Sequence, residues 1–365
     1  VPVLLLPVGH ARSTSQVHHF FRSTQSYATV TKWTEEIALA SDTSDVMRRA
    51  FSLLKMGRPG PVLVEIPADV ATEEIKEDEL NYAPVRRTVS GANPQDIAEA
   101  ARILVQARSP VIIAGQGALY AEASDELVEL AELLQAPVTT PLEGKSAFPE
   151  THPLSLGTGA GVMPPTVHEF LRTADVVFAI GASLTRHSIV AAPIPPGKTI
   201  IHATNDERDL NKHYIADVPI LGDAKPVLRQ FIEAVKDAQG ANRPKKADAV
   251  IAKIKEIREP WLKQWMPKLT SKEVPINPYR VFWEFMRGID AKEAIITHDA
   301  GSPRNQIVPF YQAPIPRSYI GWGKSHALGT GLGLIMGAKL AAPEKFCVNF
   351  MGDAAFGMTG LDFET

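Results

Sequence analysis

The 365-residue chain exceeds the size at which a single hydrophobic core stops growing, roughly 250 to 300 residues, so two or three domains are expected. Hydrophobic residues make up 45% and charged residues 22% of the chain, which is ordinary globular usage and excludes disorder throughout. The 38 basic and 41 acidic residues form no long run of one sign, so no nucleic-acid partner is expected.

The apolar run at the start of the chain, Val1 to Val8, is too short to span a bilayer and has no basic segment before it. We interpret it as a buried strand and expect no membrane contact. The single cysteine, Cys347, cannot form an internal disulfide and is predicted to be buried in a strand. This cysteine usage favours a reducing compartment and a cytoplasmic location.

Strand-like runs alternate with helical patterns along most of the chain, which predicts an α/β fold with parallel sheets and helices on both faces. Asn93 is predicted to cap one helix and Ser124 to open another. In chain order the predicted strands are Val62 to Pro67, Pro110 to Ala114, Ala136 to Thr140, Val176 to Gly181, Thr199 to Ala203, Ala294 to His298 and Lys345 to Met351.

Two polar stretches interrupt this alternation, one at 71–92 and one that begins at Asp237, and both are typical of connections between domains. The sequence therefore predicts three doubly wound parallel-sheet domains, of which the first and third are incomplete. Their predicted bounds are 1–70, 93–236 and 275–365, with linkers at 71–92 and 237–274, the second of which includes a helix.

The last predicted strand runs into Gly352-Asp353-Ala354-Ala355 and then a helix. Backbone N–H groups in such a turn can hold a diphosphate, while the aspartate binds the magnesium that accompanies it. Small residues let the phosphates approach the backbone. Gly-Asp alone is more often a helix-capping surface turn, so its meaning depends on the rest of the chain.

Several segments in the same order give that context. The run Gly57-Arg58-Pro59-Gly60-Pro61-Val62-Leu63-Val64-Glu65-Ile66-Pro67, then Ile276-Asn277-Pro278-Tyr279-Arg280, Gly329-Thr330-Gly331-Leu332-Gly333 and Gly352 to Thr365 resemble segments of thiamine-diphosphate-dependent enzymes of the acetolactate synthase (acetohydroxyacid synthase) large-subunit type. The resemblance covers essentially the whole chain. It implies that 1–70 ends a pyrimidine-binding domain, that 93–236 is a central domain and that 275–365 begins a diphosphate-binding domain.

The resemblance also implies a cofactor site. Asp353 would bind magnesium, and a bulky residue, here Leu328, would wedge between the two cofactor rings. The residues expected to bind the cofactor are Gly301, Ser302, His326, Leu328, Gly329, Gly352, Asp353, Ala354 and Ala355. The resemblance implies a catalytic glutamate before Val1, and a second metal ligand, an asparagine, beyond the end of the chain after Asp353. No catalytic residue is therefore assigned within the chain. The isolated chain is expected to be inactive.

The implied activity is a thiamine-diphosphate- and magnesium-dependent carboligase or lyase that acts on a 2-oxo acid such as pyruvate and forms a homodimer or homotetramer. A decarboxylase, an acyl-CoA lyase or a diketone hydrolase stays open within the same chemistry. Two alternatives come from other classes: a nucleotide-dependent oxidoreductase, suggested by Gly115-Gln116-Gly117, and a non-catalytic relative.

Two further questions stay open at this stage. In the family that this chain resembles, arginines usually face a bound flavin at the positions matched here by Ala28 and Ser183. FAD is therefore uncertain and little flavin is expected, although Arg186 and Asp206 lie nearby in the sequence. His298, Asp299 and Arg304 are acid–base candidates, but they are expected to orient a loop.

Overall fold

The computed structural model describes residues 1–17, 19–77, 80–240 and 247–364. The chain forms two compact units, Val1–Ser90 and Gly91–Thr365. Positions 78–79 of the first polar stretch and 241–246 of the second lie outside the described residues. In the described part of the chain, no helix combines the length and the apolar character that crossing a membrane requires.

The first unit is a small parallel sheet built on one central strand. Its elements are β1 (Leu4–Leu5), β2 (Val8–Gly9), α1 (Ser23–Tyr27), β3 (Trp33–Glu36), α2 (Thr43–Lys55) and β4 (Val62–Pro67). Strand β4 pairs in parallel with β1, β2 and β3. Val62 and Val64 of β4 are fully buried and pack with Ala50 of α2, so the apolar strand carries the core of this unit.

The prediction of a buried strand over Val1 to Val8 is wrong. Only Leu4, Leu5 and Val8 of this run pair with β4, and Val1 and Val8 are 71% and 73% exposed. Pro2 and Pro7 explain the interruption, because proline has no N–H group to donate to a strand ladder.

The second unit begins with a six-stranded parallel sheet, in the order β10-β9-β8-β5-β6-β7. Its elements are α3 (Pro94–Gln106), β5 (Pro110–Ala114), α4 (Gln116–Tyr120), α5 (Ser124–Leu134), β6 (Val138–Thr140), β7 (Ser155–Thr158), α6 (Pro165–Thr173), β8 (Val176–Ile180), β9 (Thr199–Thr204), β10 (Val218–Leu221) and α7 (Ala224–Gln239). Asn93 caps α3 as predicted, since its side chain accepts a hydrogen bond from Gln95 N at 3.0 Å.

The remainder of this unit holds a three-stranded parallel sheet in the order β12-β11-β13. Its elements are α8 (Ala247–Leu269), α9 (Pro278–Gly288), β11 (Ala294–His298), α10 (Ser302–Ile307), β12 (Tyr319–Ile320), α11 (Thr330–Ala341), β13 (Phe346–Phe350) and α12 (Asp353–Thr359). Asn277 caps α9 through a hydrogen bond from Tyr279 N at 3.0 Å.

The predicted α/β class with parallel sheets is confirmed, because each strand pairing in the described residues is parallel. Helix α7 continues to Gln239, beyond the predicted domain end at 236. Cys347 lies in β13 as predicted but is half-buried, and this partial burial raises the pKa of its thiol.

Candidate functional site

The carboxyl ends of β11, β12 and β13 meet at one edge of the small sheet, because the three strands are parallel. His298 is paired with Phe350, and Asp299 N donates a hydrogen bond to Phe350 O at 2.7 Å. The loop after β11 therefore lies beside the loop after β13. Such edges are where α/β proteins bind their ligands.

Asp299 organises this edge. It is fully buried, and its Oδ1 atom accepts hydrogen bonds from Ala300 N at 2.8 Å and from Gly329 N at 3.0 Å. Its Oδ2 atom accepts a hydrogen bond from Gly331 N at 2.9 Å. The carboxylate thus fixes the start of α11 against β11.

His298 lies beneath the edge and is also fully buried. Its Nδ1 atom donates to Asp299 O at 3.1 Å, and its ring stacks on Trp322 at a centroid distance of 5.5 Å. Burial lowers the pKa of His298 to about 4, so the imidazole is neutral near pH 7. The ring does not reach the exposed surface where a cofactor would lie.

Asp353 occupies a different environment, since it is exposed at the start of α12. Its Oδ1 atom accepts a hydrogen bond from Ala354 N at 2.8 Å, which leaves the other carboxylate oxygen open to a cation. Ala354 lies in the helix and is not among the residues with a positive φ. An alanine can therefore take this backbone conformation as well as a glycine can. Ala355 is buried and packs beneath the turn.

Leu328 is 40% exposed, although it is an apolar residue in a loop directly before the buried Gly329. Leu328 is therefore not an ordinary core residue. Gly329 has a φ of +88°, and a Cβ there would lie 2.1 Å from the Thr359 side chain, so this position requires glycine. His326 is exposed, has a φ of 54° and stacks on His187 at 5.6 Å.

Gly301 and Ser302 are exposed where α10 begins, directly after the loop that Asp299 anchors. Together with Gly352 and Ala354 they give the edge a surface of small side chains and accessible backbone. These residues fit a diphosphate and its cation, because backbone N–H groups and one open carboxylate are the donors and the ligand that such a group needs. No cluster of three His, Cys, Asp or Glu side chains suited to a metal occurs among the described residues.

The residues considered for flavin have partners of their own. Ser183 Oγ lies 3.0 Å from Thr185 Oγ1, Asp206 pairs with Arg208 at 2.8 Å, and the Arg186 guanidinium lies over Tyr214 at 4.7 Å. Ala28 follows α1 in the first unit.

The glycines of Gly115-Gln116-Gly117 are used for close packing. Gly115 N donates to Ile180 O at 2.9 Å and Gly117 N donates to Gly181 O at 2.8 Å. A Cβ at Gly115 would lie 2.3 Å from Gly181 O. Both N–H groups thus donate to backbone carbonyls of the chain. A nucleotide-dependent oxidoreductase would need such N–H groups to bind a pyrophosphate, so this alternative is not favoured.

Two family models match the chain. The one described as thiamine pyrophosphate enzyme, central domain, matches residues 97–231, and the one described as thiamine pyrophosphate enzyme, C-terminal TPP binding domain, matches residues 299–365. This chain belongs to the thiamine pyrophosphate enzyme family. The second match spans all the predicted cofactor-binding residues, from Gly301 to Ala355.

Curated relatives agree with this assignment. The chain is 32% identical over 351 residues to the probable acetolactate synthase large subunit of Methanocaldococcus jannaschii, which covers 92% of this chain and 57% of that protein. It is 31% identical over 339 residues to the acetolactate synthase isozyme 3 large subunit of Escherichia coli K12, covering 89% and 56%. Glyoxylate carboligase of Escherichia coli O157:H7 is 29% identical over 332 residues, covering 90% and 55%.

The chain therefore spans a little over half the length of these relatives. Among solved structures, benzoylformate decarboxylase from Polynucleobacter necessarius superposes with a TM-score of 0.76, covering 98% of this chain and 65% of that one. At 21% identity this likeness concerns the fold alone.

Sequence reasoning missed two contacts that build the edge. Trp322 Nε1 donates to His298 O at 2.7 Å, which ties the end of β12 to the end of β11. A Cβ at Gly331 would lie 2.7 Å from His298 O, so this glycine serves close packing under the site. Neither contact has a local sequence signal, since each joins residues that the fold brings together from distant positions.

Proposed function

We propose that the native protein containing this chain is a thiamine-diphosphate- and magnesium-dependent carboligase or lyase that acts on a 2-oxo acid such as pyruvate. The observation that supports the proposal is one sheet edge, where the turn with the open carboxylate of Asp353 follows β13 and the loop with the exposed Leu328 is held to the end of β11 through Gly329. The acetolactate synthase names of the relatives support this substrate class.

Each turn has a separate role in this proposal. Asp353 binds magnesium through its open oxygen, and the backbone of Gly352, Ala354 and Ala355 surrounds the diphosphate. Gly301 and Ser302 supply a second group of donors from the start of α10. The magnesium charge offsets the diphosphate charge, which otherwise would face the Asp353 carboxylate at close range.

The loop before α11 positions the rest of the cofactor. Leu328 fills the space between the two rings, while the backbone of His326, Leu328 and Gly329 contacts the pyrimidine. When bound, the cofactor supplies a carbanion at its thiazolium ring and accepts the electrons released by decarboxylation. In this proposal the chain holds that ring in place, and Asp299 keeps the loop before α11 rigid.

The proposed protein is a cytoplasmic homodimer or homotetramer with little or no bound FAD. The flavin proposal follows from the missing cations at Ala28 and Ser183 and from the partners that Arg186 and Asp206 already have. Absorbance of the purified native protein near the flavin band tests it. A stoichiometric yellow cofactor would show that other residues bind the flavin.

Product analysis separates the remaining activities. The native protein, incubated with pyruvate, thiamine diphosphate and magnesium, is expected to release carbon dioxide and form acetolactate. Acetaldehyde as the main product would identify a decarboxylase, and no turnover of any 2-oxo acid would favour the non-catalytic relative. Glyoxylate is a useful second substrate because one relative is a glyoxylate carboligase.

A further inference from the structure

A buried ion pair, Lys145 and Glu150, lies in the second unit between β6 and β7. The Lys145 side chain has no exposed surface, and that of Glu150 is 5% exposed. Lys145 Nζ donates to one carboxylate oxygen of Glu150, and the other accepts a hydrogen bond from Thr158 Oγ1 at 2.8 Å. The chain encloses the pair, so any effect of the pair on a bound molecule is transmitted through the segments that it contacts.

Lys145 contacts the end of α10. Its Nζ atom donates to Tyr311 O at 2.7 Å and to Val308 O at 3.3 Å. Both carbonyls lie in the turns that continue α10, because Tyr311 N donates a hydrogen bond to Ile307 O at 2.9 Å. The last carbonyls of a helix have no partner within the helix, and a cation beside them is favourable. Lys145 therefore closes the C-terminal end of α10.

The same segment holds the chain that follows α10. Glu150 Oε2 accepts a hydrogen bond from Ala313 N at 2.8 Å, and Glu150 N donates to Ala313 O at 2.9 Å. Ser146 Oγ accepts a hydrogen bond from Arg317 N at 3.1 Å, shortly before β12 begins. Residues 145–150 thus fix three successive points between α10 and β12.

The other end of α10 belongs to the proposed cofactor site. The helix begins at Ser302, directly after Gly301, and Asp299 anchors the preceding residue through a hydrogen bond from Ala300 N at 2.8 Å. A helix this short moves as one body, so a shift at its C-terminal end also displaces its first turn. A misplacement of about 1 Å at a reacting site can lower a rate about 100-fold. The position of α10 therefore matters for a bound diphosphate.

Stability alone does not account for such a pair. Replacing a buried ion pair by apolar residues of similar volume is often neutral or stabilising, because both charges lose their hydration on burial. An apolar pair cannot, however, make directed hydrogen bonds to particular backbone atoms. We propose that Lys145 and Glu150 are positioning residues of the cofactor site, which fix α10 and thereby the turn at Gly301 and Ser302. This inference rests on the proposed function.

The test compares the native protein with Lys145→Met and with the double variant Lys145→Met/Glu150→Gln. The single variant leaves a buried carboxylate without its cation, so its denaturation midpoint should fall. The double variant removes both charges and keeps an acceptor for Ala313 N, so its midpoint should recover toward that of wild type. Its affinity for thiamine diphosphate with magnesium should nevertheless stay about 10-fold below wild type, because α10 is no longer fixed.

Hydrogen exchange without cofactor measures the hold on α10 directly. The amides of residues 304–311 should exchange faster in the double variant than in wild type, while those of α3 should not change. The matched control is Lys236→Met/Glu129→Gln, which removes an exposed ion pair between α7 and α5 with Nζ and Oε1 2.9 Å apart. This control should keep the wild-type exchange of α10 and the wild-type cofactor affinity.

Wild-type cofactor affinity in the double variant would overturn the proposal, and so would faster exchange of α3 and α10 alike, which indicates general destabilisation. If the double variant does not fold, Glu150→Gln decides, since faster exchange of α10 and weaker cofactor binding are expected there too. Wild-type values of both in Glu150→Gln would contradict the proposal. Absence of cofactor binding in wild type would refute the proposed function and with it the positioning role, even if exchange shows that Lys145 fixes α10.

Discussion

The carboxylate of Asp299 accepts a hydrogen bond from the backbone N–H of Gly331 at 2.9 Å, across a sequence separation of 32 residues. Through this contact and the one to Gly329, the end of β11 holds the first turn of α11 in place. The two carboxylate oxygens also lie at the positive end of the α11 helix, where a negative charge is favourable.

Asp299→Ala is therefore expected to lower the free energy of unfolding by about 3 kcal/mol or more, because it leaves several buried N–H groups without an acceptor. Chemical denaturation measures this loss. Asp290→Ala is the control, since Asp290 is exposed and its carboxylate accepts one hydrogen bond, from Lys292 N. Equal losses in the two variants would mean that Asp299 does not anchor the loop.

Gly321 lies directly against Leu142, and a Cβ there would be 1.8 Å from Leu142 O. Gly321→Ala should lower the free energy of unfolding by at least about 1 to 3 kcal/mol, because two backbone segments must move apart. Gly337→Ala, at an exposed helical position with nothing within 4 Å, should instead raise it by about 0.5 to 1 kcal/mol. Thermal and denaturant unfolding of both variants measure these two changes in the free energy of unfolding, which are expected to have opposite signs. An unchanged free energy of unfolding in Gly321→Ala would refute the contact.

His298 gives the stability of the fold a defined pH dependence. Its pKa in the folded chain is about 4, below the value of about 6.5 expected after unfolding, so the unfolded chain binds the proton between these limits. The stability that His298 contributes is complete above about pH 6.5 and falls by up to about 3 kcal/mol as pH drops toward 4. Denaturation from pH 4 to 8 should give a shallower slope for His298→Gln than for wild type, since the buried His202, whose pKa burial also lowers, still contributes in the variant. His168→Gln, at an exposed histidine, should keep the wild-type slope.

Leu328 is expected to matter for the reaction more than for folding. Because it is 40% exposed, Leu328→Ala should change the free energy of unfolding by less than about 1 kcal/mol. If it positions the cofactor rings, turnover of the native protein should fall about 10- to 100-fold, with a smaller loss of cofactor affinity. Steady-state kinetics and cofactor titration separate the two effects, with Leu340→Ala, which is 85% exposed, as the matched control. Equal losses of turnover and affinity would indicate simple packing.

The sequence predicted the features that depend on local patterns. Buried parallel strands such as Pro110–Ala114 and Val176–Ile180 are continuous apolar runs, and the cap at Asn93 has a side-chain signal next to a proline. The short strands β7 and β12 were missed, because two to four residues with mixed polarity carry little periodicity.

The site residues also fall into those found from local sequence patterns and those that only the fold reveals. Gly352 and Asp353 were found from a contiguous motif, which the fold then placed at a strand end. The N–H donors to the Asp299 carboxylate, the Trp322 hydrogen bond and the buried Arg304 Nη1 atom without a partner depend on which distant segments meet, so no window of sequence contains them. Burial also determines the protonation state of His298, because it lowers the pKa to about 4, whereas a histidine in an exposed loop titrates near neutral pH.

Calorimetric titration of the native protein with thiamine diphosphate, with and without magnesium, tests the proposed cofactor site most directly. Wild type and Asp362→Ala, which changes an exposed carboxylate in the segment after α12, are expected to bind the cofactor when magnesium is present and not in its absence. Asp353→Ala is expected to show no measurable binding under either condition, because the diphosphate charge is no longer offset by a bound cation. Tight, metal-independent binding by Asp353→Ala would contradict the assignment of this edge as the cofactor site.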